Sequence, residues 1–561
     1  MLDFPVRKTF PNLEEIYAKR AEPNKVQSKK NLKSFDFLKT KFSNLNASDQ
    51  KLFQKFGAGP IVRLPYSNIH HAFEAQAFVN PDGIAADHLG ATITYGELNR
   101  QANRLAAKLA QHGVSNGDAV SLFTRRSIPM LVGIMATLKA GACYVPQDVK
   151  VAPEPQLRHV ATVTGSRVIL TLSEFAHLVP EVAGVTVISI DKMMQQPLST
   201  TDAAQFVPDA PVQPDDRCFI LFTSGTTGNP NGVQVTHRNV CNILLTEPGN
   251  MGMAPGKKVA HILSISFDMA AWETLGCLAH GATLMIRGRD FLAVAKQADV
   301  IISTPSILST IDADQCRQVQ AVAVAGEPCP RVLADKWSEF ATFYNSCGPT
   351  ETTIVNTMEP HYPTKERLTI GRPTPNNTVY VLDENLQPLP IGEVGEMWAG
   401  GDCVTAGYLN NPELTAERYA DDPFLPGRKM FRTRDLGRWT PEGELEHFGR
   451  TDDQVKIRGF RVELDSVSAA LEAAPNAVRA TTMKFDSRNL VGFVSPKTVD
   501  IEAAHQSVLD KLPYYCDPIF ILAFDELPLT GRGKVDKRLL MSLAIEHAKA
   551  NNILESEEGG K

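Results

Sequence analysis

Cys218-Phe-Ile-Leu-Phe222, followed by Thr223-Ser-Gly-Thr-Thr-Gly-Asn-Pro-Asn-Gly232 and then Val233-Gln-Val235, is the stretch on which the fold turns. The apolar run reads as a buried strand. The ten residues after it hold three glycines and four hydroxyl side chains, a loop whose backbone N–H groups and donors can wrap a phosphate. It is not a Walker loop, because no Gly-Lys-Ser/Thr follows and the chain resumes as a strand instead of a helix. A flexible hairpin is an equally good reading of this loop alone. Outward from it, helix and strand signals alternate. Thr94 and Glu97 form a capping box ahead of Leu98, Ala102, Leu105, Ala106 and Leu109 on one helical face, ended by Gly113. Ala119 to Phe123 suits a buried strand and Ile128 to Lys139 a helix. Val160 to Thr164, Arg167 to Leu172, Val185 to Ile190, Val259 to Leu263, Ala282 to Ile286 and Val300 to Ser303 continue the alternation. This pattern implies an α/β core with largely parallel sheets. Near 376–450 short runs (Val379 to Leu382, Glu396 to Ala399, Glu444 to Phe448) separated by Gly/Pro/Asn turns indicate a β-rich subdomain, and a last α/β unit follows from about 453 to 545.

With 561 residues the chain is too long for one core. Its 57 Lys+Arg against 63 Asp+Glu give a net charge of −6, the wrong balance for wrapping nucleic acid. At 43% hydrophobic and 21% charged it is an ordinary globular composition. The longest apolar stretch, Ile128 to Val145, is interrupted by Lys139, against a membrane span. No secretory signal is visible in Met1 to Arg20. The nine cysteines include no C-x-x-C pair, which points to small buried hydrophobes in a reducing, cytoplasmic compartment. His70 and His71 are expected as surface or capping residues. Residues 1–62, rich in Lys, Asn, Ser and Phe with weak periodicity, read as a leader, and 546–561 as a flexible tail.

Further loops combine sharp turns with polar groups: Asn345-Ser-Cys-Gly-Pro-Thr-Glu-Thr-Thr353, whose carboxylate could hold magnesium beside a polyphosphate, Gly407-Tyr-Leu, Arg432-Thr-Arg-Asp-Leu-Gly437, Gly449-Arg-Thr-Asp-Asp-Gln-Val-Lys-Ile-Arg-Gly-Phe-Arg461 and Leu529-Thr-Gly-Arg-Gly-Lys-Val-Asp536. Together with Thr94-Tyr-Gly-Glu-Leu98, Leu138 to Pro146 and Phe267-Asp-Met-Ala-Ala-Trp272, their order resembles the adenylate-forming superfamily of acyl/aryl-CoA synthetases and luciferases, specifically an amino-acid adenylation domain of a nonribosomal peptide synthetase such as those of fungal siderophore assembly. The resemblance spans roughly 63 to 541.

It implies a large N-terminal domain (63–451) with two α/β sheet layers plus the β-rich subdomain, and a small α+β lid (452–545) that swings about a hinge at Asp452. ATP, Mg²⁺ and an amino acid would meet between them to form aminoacyl-AMP and pyrophosphate. The acyl group would then pass to the phosphopantetheine thiol of a carrier domain. The resemblance places Thr223, Ser224, Gly225, Thr226, Thr227 and Gly228 around the pyrophosphate, Glu351 on Mg²⁺, Thr350 beside the α-phosphate, Gly326, Ser346 and Cys347 at adenine, and Asp435 on the ribose hydroxyls. Arg450 and Lys456 would approach the nucleotide, and Lys534 would bridge the carboxylate and the phosphate. Charge builds up in that transition state, so positioned cations and donors are what the chemistry needs.

Asp268 corresponds to the partner of the substrate ammonium, an interaction worth roughly 1.5–3 kcal/mol; it is also a candidate N-cap. Met269, Trp272, Ser303, Ala323, Ala325, Ser346, Ile354 and Val355 complete the carried-over pocket, with Trp272 filling part of its floor. No second carboxylate and no added cation are among them, which favours a large net-neutral side chain such as an acylated hydroxyornithine, with an aromatic amino acid as the alternative. No Ser in a carrier-type setting follows Lys534, so the carrier is expected outside this chain, and a condensation domain is the expected neighbour of the leader. Asn231, Cys347 and Arg434 depart from the usual lysine, tyrosine and glycine. They keep open a degenerate domain that only binds nucleotide or a partner; a freestanding acyl- or aryl-CoA ligase is the third reading.

Overall fold

A computed structural model describes residues 35, 37–38, 42–197, 206–223, 230–529 and 535–553. The alternation produces two large sheets. In one, the strands run Thr186–Ser189, Val168–Thr171, Ala119–Thr124, Cys143–Asp148, Arg217–Thr223, Asn231–Thr236, all parallel except the last, which returns antiparallel on Arg217–Thr223. The second has nine strands, parallel from Thr342–Cys347 through Ala321–Val324, Val300–Ser303, Lys258–His261 and Thr283–Ile286 to Ile84–His88, with antiparallel strands at both edges. Their central parallel strands, such as Ala119–Thr124, Cys143–Asp148, Val300–Ser303 and Ala321–Val324, are buried throughout, hence their apolar runs.

Helices Ile69–Val79, Tyr95–Gln111 and Ile128–Lys139 pack in the core shared by both sheets. Ser127 caps the last of these through Met130 N. Lys139 at its end is itself buried and paired with Glu74, so the charge that interrupts the apolar run is neutralised inside the fold. Thr94 accepts from Glu97 N, as a cap does; the Glu97 carboxylate turns to Arg100 and Gln101 instead of closing the box. Val160–Thr164 is not a strand: it ends the helix Glu154–Val163. His70 corrects a further expectation, since it is buried, edge-on to His71 and to His237. All nine cysteines are free, and all but Cys329 and Cys347 are buried. No helix among the described residues is long and apolar enough to cross a membrane.

The β-rich subdomain is a five-stranded sheet of Asn377–Leu382, Gly395–Gly401, Tyr419–Asp421, Lys429–Trp439 and Leu445–Arg450. The stretch read as leader contributes to it. Helix Ala47–Phe56 begins at Asn46, whose side chain accepts from Asp49 N. Its Phe53 stacks on Tyr380 at 5.8 Å, and Phe42 stacks on Phe424 at 5.3 Å.

The small domain has a hairpin, Gln454–Ile457 with Phe460–Glu463, and a sheet of Arg479–Lys484, Leu490–Ser495 and Phe520–Ala523. The two faces of that sheet bury different partners. Ile457 and Val462 of the hairpin share one core with Leu490 and Val494, whereas Val535, Leu527 and Leu540 pack with Val491 and Phe493. The terminal helix Lys537–Ala550 runs past 545 with Ala548 fully buried, so residues up to 550 belong to the domain and not to a tail.

Candidate active site

A cavity of about 620 Å³ opens between the large and small domains. Thr223, Asp268, Met269, Ala325, Gly326, Ser346, Cys347, Thr350, Ile354, Asp435, Arg450, Asp452 and Lys456, residues far apart in sequence, all line it. They reach it from the ends of strands of the large sheets, from the last β-rich strands and from the small-domain hairpin.

The loop after Thr342–Cys347 is the most constrained part. A Cβ on Gly348 would stand 2.6 Å from the Val355 Cα, so only glycine permits this close return of the chain. Thr353 and Ile354 both have positive φ, +55° and +72°, an expensive conformation for β-branched residues. Contacts hold the loop there: Thr353 Oγ1 donates to Cys403 O at 2.8 Å, and Thr405 N donates to Glu351 O at 3.1 Å.

Glu351 is fully buried. Tyr408 donates to its Oε1 at 2.7 Å, and Arg461 of the small domain donates Nη1 to both of its oxygens at 3.0 and 2.9 Å. Burial pushes this carboxyl upward, but Arg461 and then Arg418 outweigh it and bring the pKa down to about 2. Asp268 opens the helix Asp268–Ala271 after Phe267, which stands at the cap position; its Oδ1 accepts from Met269 N at 2.8 Å. Burial raises its pKa, opposed by the Thr350 hydroxyl and by Lys456. Lys456 is shifted down by burial and by Arg461, against the pull of Asp268 and Asp435.

Asp435 and Asp452 share Arg450, which donates Nη1 to Asp435 Oδ1 at 2.8 Å and Nε and Nη2 to Asp452 at 2.7 and 2.9 Å. Asp452 is driven up by burial but lowered on balance by the Arg450 bonds. Arg434, one of the three departures, also reaches Asp452 (3.6 Å) and pairs with Glu417, at a backbone φ of +61°. Burial, and after it the Asp435 charge, pushes the Cys347 thiol up to about 12, so it is a neutral wall group.

Several expected residues stand behind the wall. Trp272 is sealed, its indole N–H donating to Gly249 O at 2.6 Å, so it does not form the floor of the open cavity. Ser303 donates to Thr304 O, and Ala323 and Val355 are fully buried. Ser224, Gly225, Thr226, Thr227, Gly228 and Lys534 lie outside the described residues. The ends of the Lys534 loop, Leu529 and Val535, form an antiparallel bridge. Val535 packs on the face of the small sheet opposite to the one covered by the 454–463 hairpin.

Sequence reasoning missed Arg461, Tyr408, Gly459 and the aromatic contact that seats the small domain, in which Phe460 meets Phe267 edge-on at 4.8 Å and stacks on Tyr515 at 3.9 Å. Arg461 and Tyr408 sit in loops already singled out, but no local signal marks a partner on another domain.

Comparison with known proteins gives the family and the fold. A family profile described as AMP-binding enzyme matches residues 73–409. The chain is 47% identical over 511 residues to Adenylate-forming reductase 03009 of Coprinopsis cinerea, covering 90% of this chain and 49% of that protein. It is 32% identical over 488 residues to Gramicidin S synthase 1 of Brevibacillus brevis, covering 84% and 44%. The chain thus spans about half the length of the curated relatives it matches. Among solved structures, NpsA-ThdA, an artificially fused adenylation-PCP di-domain from Klebsiella oxytoca, has the same fold, with a TM-score of 0.73 at 24% identity over 88% of this chain and 98% of that one.

Proposed function

Because the chain belongs to the AMP-binding enzyme family, whose ATP-dependent members form acyl-adenylates, we propose that it activates an amino acid as its adenylate and hands the acyl group to a carrier-bound thiol. The observation that carries this reading is that Asp268 and Asp435 open into one cavity at the domain junction. Asp435 suits the ribose, since one carboxylate can accept from two hydroxyls. Asp268 suits an ammonium, which fatty or aryl acids lack. The buried Asp268 charge is costly unless a cation reaches it.

In the adenylation step Asp268 orients the substrate, Thr350 stands beside the α-phosphate, and Lys534 neutralises the charge built up there. Glu351 fits a divalent cation by its chemistry, as a hard carboxylate oxygen donor next in the chain to the cavity-lining Thr350. Bound there, Mg²⁺ would offset phosphate charge. The hairpin face that the small domain presents here is opposite the one on which Val535 packs, which supports the pose for acyl transfer, reached by rotation about Asp452.

The side-chain pocket, bounded by Met269, Ala325, Ser346 and Ile354 with Trp272 withdrawn, supports a large net-neutral amino acid such as an acylated hydroxyornithine. The chain's 47% identity over 511 residues to a protein named adenylate-forming reductase favours reduction of the activated acyl group over its extension as a siderophore peptide. Pyrophosphate exchange into ATP over a panel of amino, fatty and aryl acids tests the reading. Exchange with a bulky amino acid is expected; exchange only with non-amino acids would overturn the Asp268 role, and exchange with none would leave a degenerate nucleotide binder.

A further inference from the structure

The Glu351 carboxylate is buried without solvent contact, and its strongest partner comes from the other domain. A charge in that position needs a counter-charge at every stage of a cycle, because leaving it uncompensated is prohibitive. Arg461 supplies one here, spanning both carboxylate oxygens from a single Nη1. It is carried on the strand Phe460–Glu463, seated by Phe460 against Phe267, so its presence depends on how the small domain is docked. Arg418 also bears on Glu351, but it belongs to the large domain and donates to Arg432 O at 3.0 and 3.3 Å, so it does not change with docking.

A divalent cation would need the same carboxylate oxygens at about 2.0–2.1 Å, on the edge that the guanidinium covers, and the two cations would repel. We propose that Arg461 is a positioning residue that takes the place of the metal on Glu351: docking of the small domain in this pose and divalent-cation binding at Glu351 are mutually exclusive. This rests on the reading of Glu351 as the metal carboxylate. Its consequence is an ordering device. Metal-nucleotide holds the small domain away, and departure of the metal lets Arg461 return and stabilise the docked pose.

The test needs no turnover. Mn²⁺ serves as the spectroscopic probe with a non-cleavable α,β-methylene ATP, its binding read by electron paramagnetic resonance. Domain pose is read by energy transfer between dyes at Val332→Cys and Val478→Cys, both highly exposed, on the large and small domains. In the otherwise unaltered chain, Mn²⁺ with the nucleotide should change the dye separation and the nucleotide with chelator should not. An unmoved separation at saturating Mn²⁺ overturns the inference without touching Arg461. Arg461→Ala should tighten Mn²⁺ binding by about fivefold or more, because the competing pose is depopulated, and Arg461→Lys should lie between. Unchanged Mn²⁺ affinity in Arg461→Ala, alongside weakened binding in Glu351→Gln, defeats the exclusion while leaving the metal role intact. Unchanged binding in Glu351→Gln defeats the metal role itself.

Discussion

Gly459→Ala should separate the two half-reactions. Gly459 sits at the hairpin turn with φ of +84°, and a Cβ there would stand 2.6 Å from Thr304 Cγ2 and 3.2 Å from Thr304 Cβ and Oγ1. Alanine pays about 1–2 kcal/mol for the left-handed backbone, but it does so in every orientation of the small domain, because the turn travels with it. On the rotation proposed about Asp452, the clash with Thr304 arises only in the docked pose. Thr304 is not free to yield, since its Oγ1 caps the helix Pro305–Leu308 through Ile307 N. Overpacking of this kind costs about 1–3 kcal/mol, which at about 1.4 kcal/mol per tenfold is a factor of about 5–150. Pyrophosphate exchange should therefore stay near wild type while single-turnover loading of a phosphopantetheine carrier falls by that factor. Adding Thr304→Ser, which deletes the atom at 2.6 Å, should recover part of the loss. Parallel loss of both activities, or undiminished loading, would refute the assignment of this pose to transfer.

Three further outcomes are expected. Arg434→Gly relieves a positive φ costing about 1–2 kcal/mol and loses a half-exposed ion pair worth about 0–1 kcal/mol, so denaturant unfolding should show a net gain of up to about 2 kcal/mol; a net loss would mean that the Glu417 and Asp452 contacts dominate. Phe53→Ala should destabilise the β-rich subdomain by about 3–5 kcal/mol, and a cost below about 1 kcal/mol would show the N-terminal helix to be dispensable. Glu273, buried against His261 at 2.7 Å, has its pKa pushed by burial from 4.5 up to about 8. Its folded-state value lies above the unfolded one, so its contribution is fully present below about pH 4.5 and is lost as pH rises through about 8. Glu273→Gln should flatten that decline in melting temperature between those limits; an unchanged pH slope would contradict it.

Elements whose signals are local were legible. Ile128–Lys139 carries its own cap at Ser127 and a proline at its start, and the strands near 119, 168, 300 and 377 fall where their apolar runs lie. Val160–Thr164 misled because a run of that length fits the end of a buried helix as well as a strand. The aromatic residues at 42 and 53 looked like linker because the surfaces they cover, Tyr380 and Phe424, arrive more than three hundred residues later. The same holds in the site. Asp268, Asp435 and Thr350, which the family resemblance brought together, do line one cavity, whereas Arg461 meets Glu351 across 110 positions and a domain boundary, where no local signal reaches.

The single guanidinium of Arg450, held at once by Asp435 and by Asp452, has an evolutionary corollary. With Asp435 on the ribose and Asp452 as the pivot, as proposed above, a mutation that retunes grip on the nucleotide would alter the load on Arg450, and so the stiffness of the pivot, and a mutation of the pivot would feed back on the ribose site. On that proposal, selection on one trait would move the other. Lineages of this fold that change nucleotide preference or domain tempo are therefore expected to accumulate compensating substitutions among Arg434, Asp435, Arg450 and Asp452 as a set.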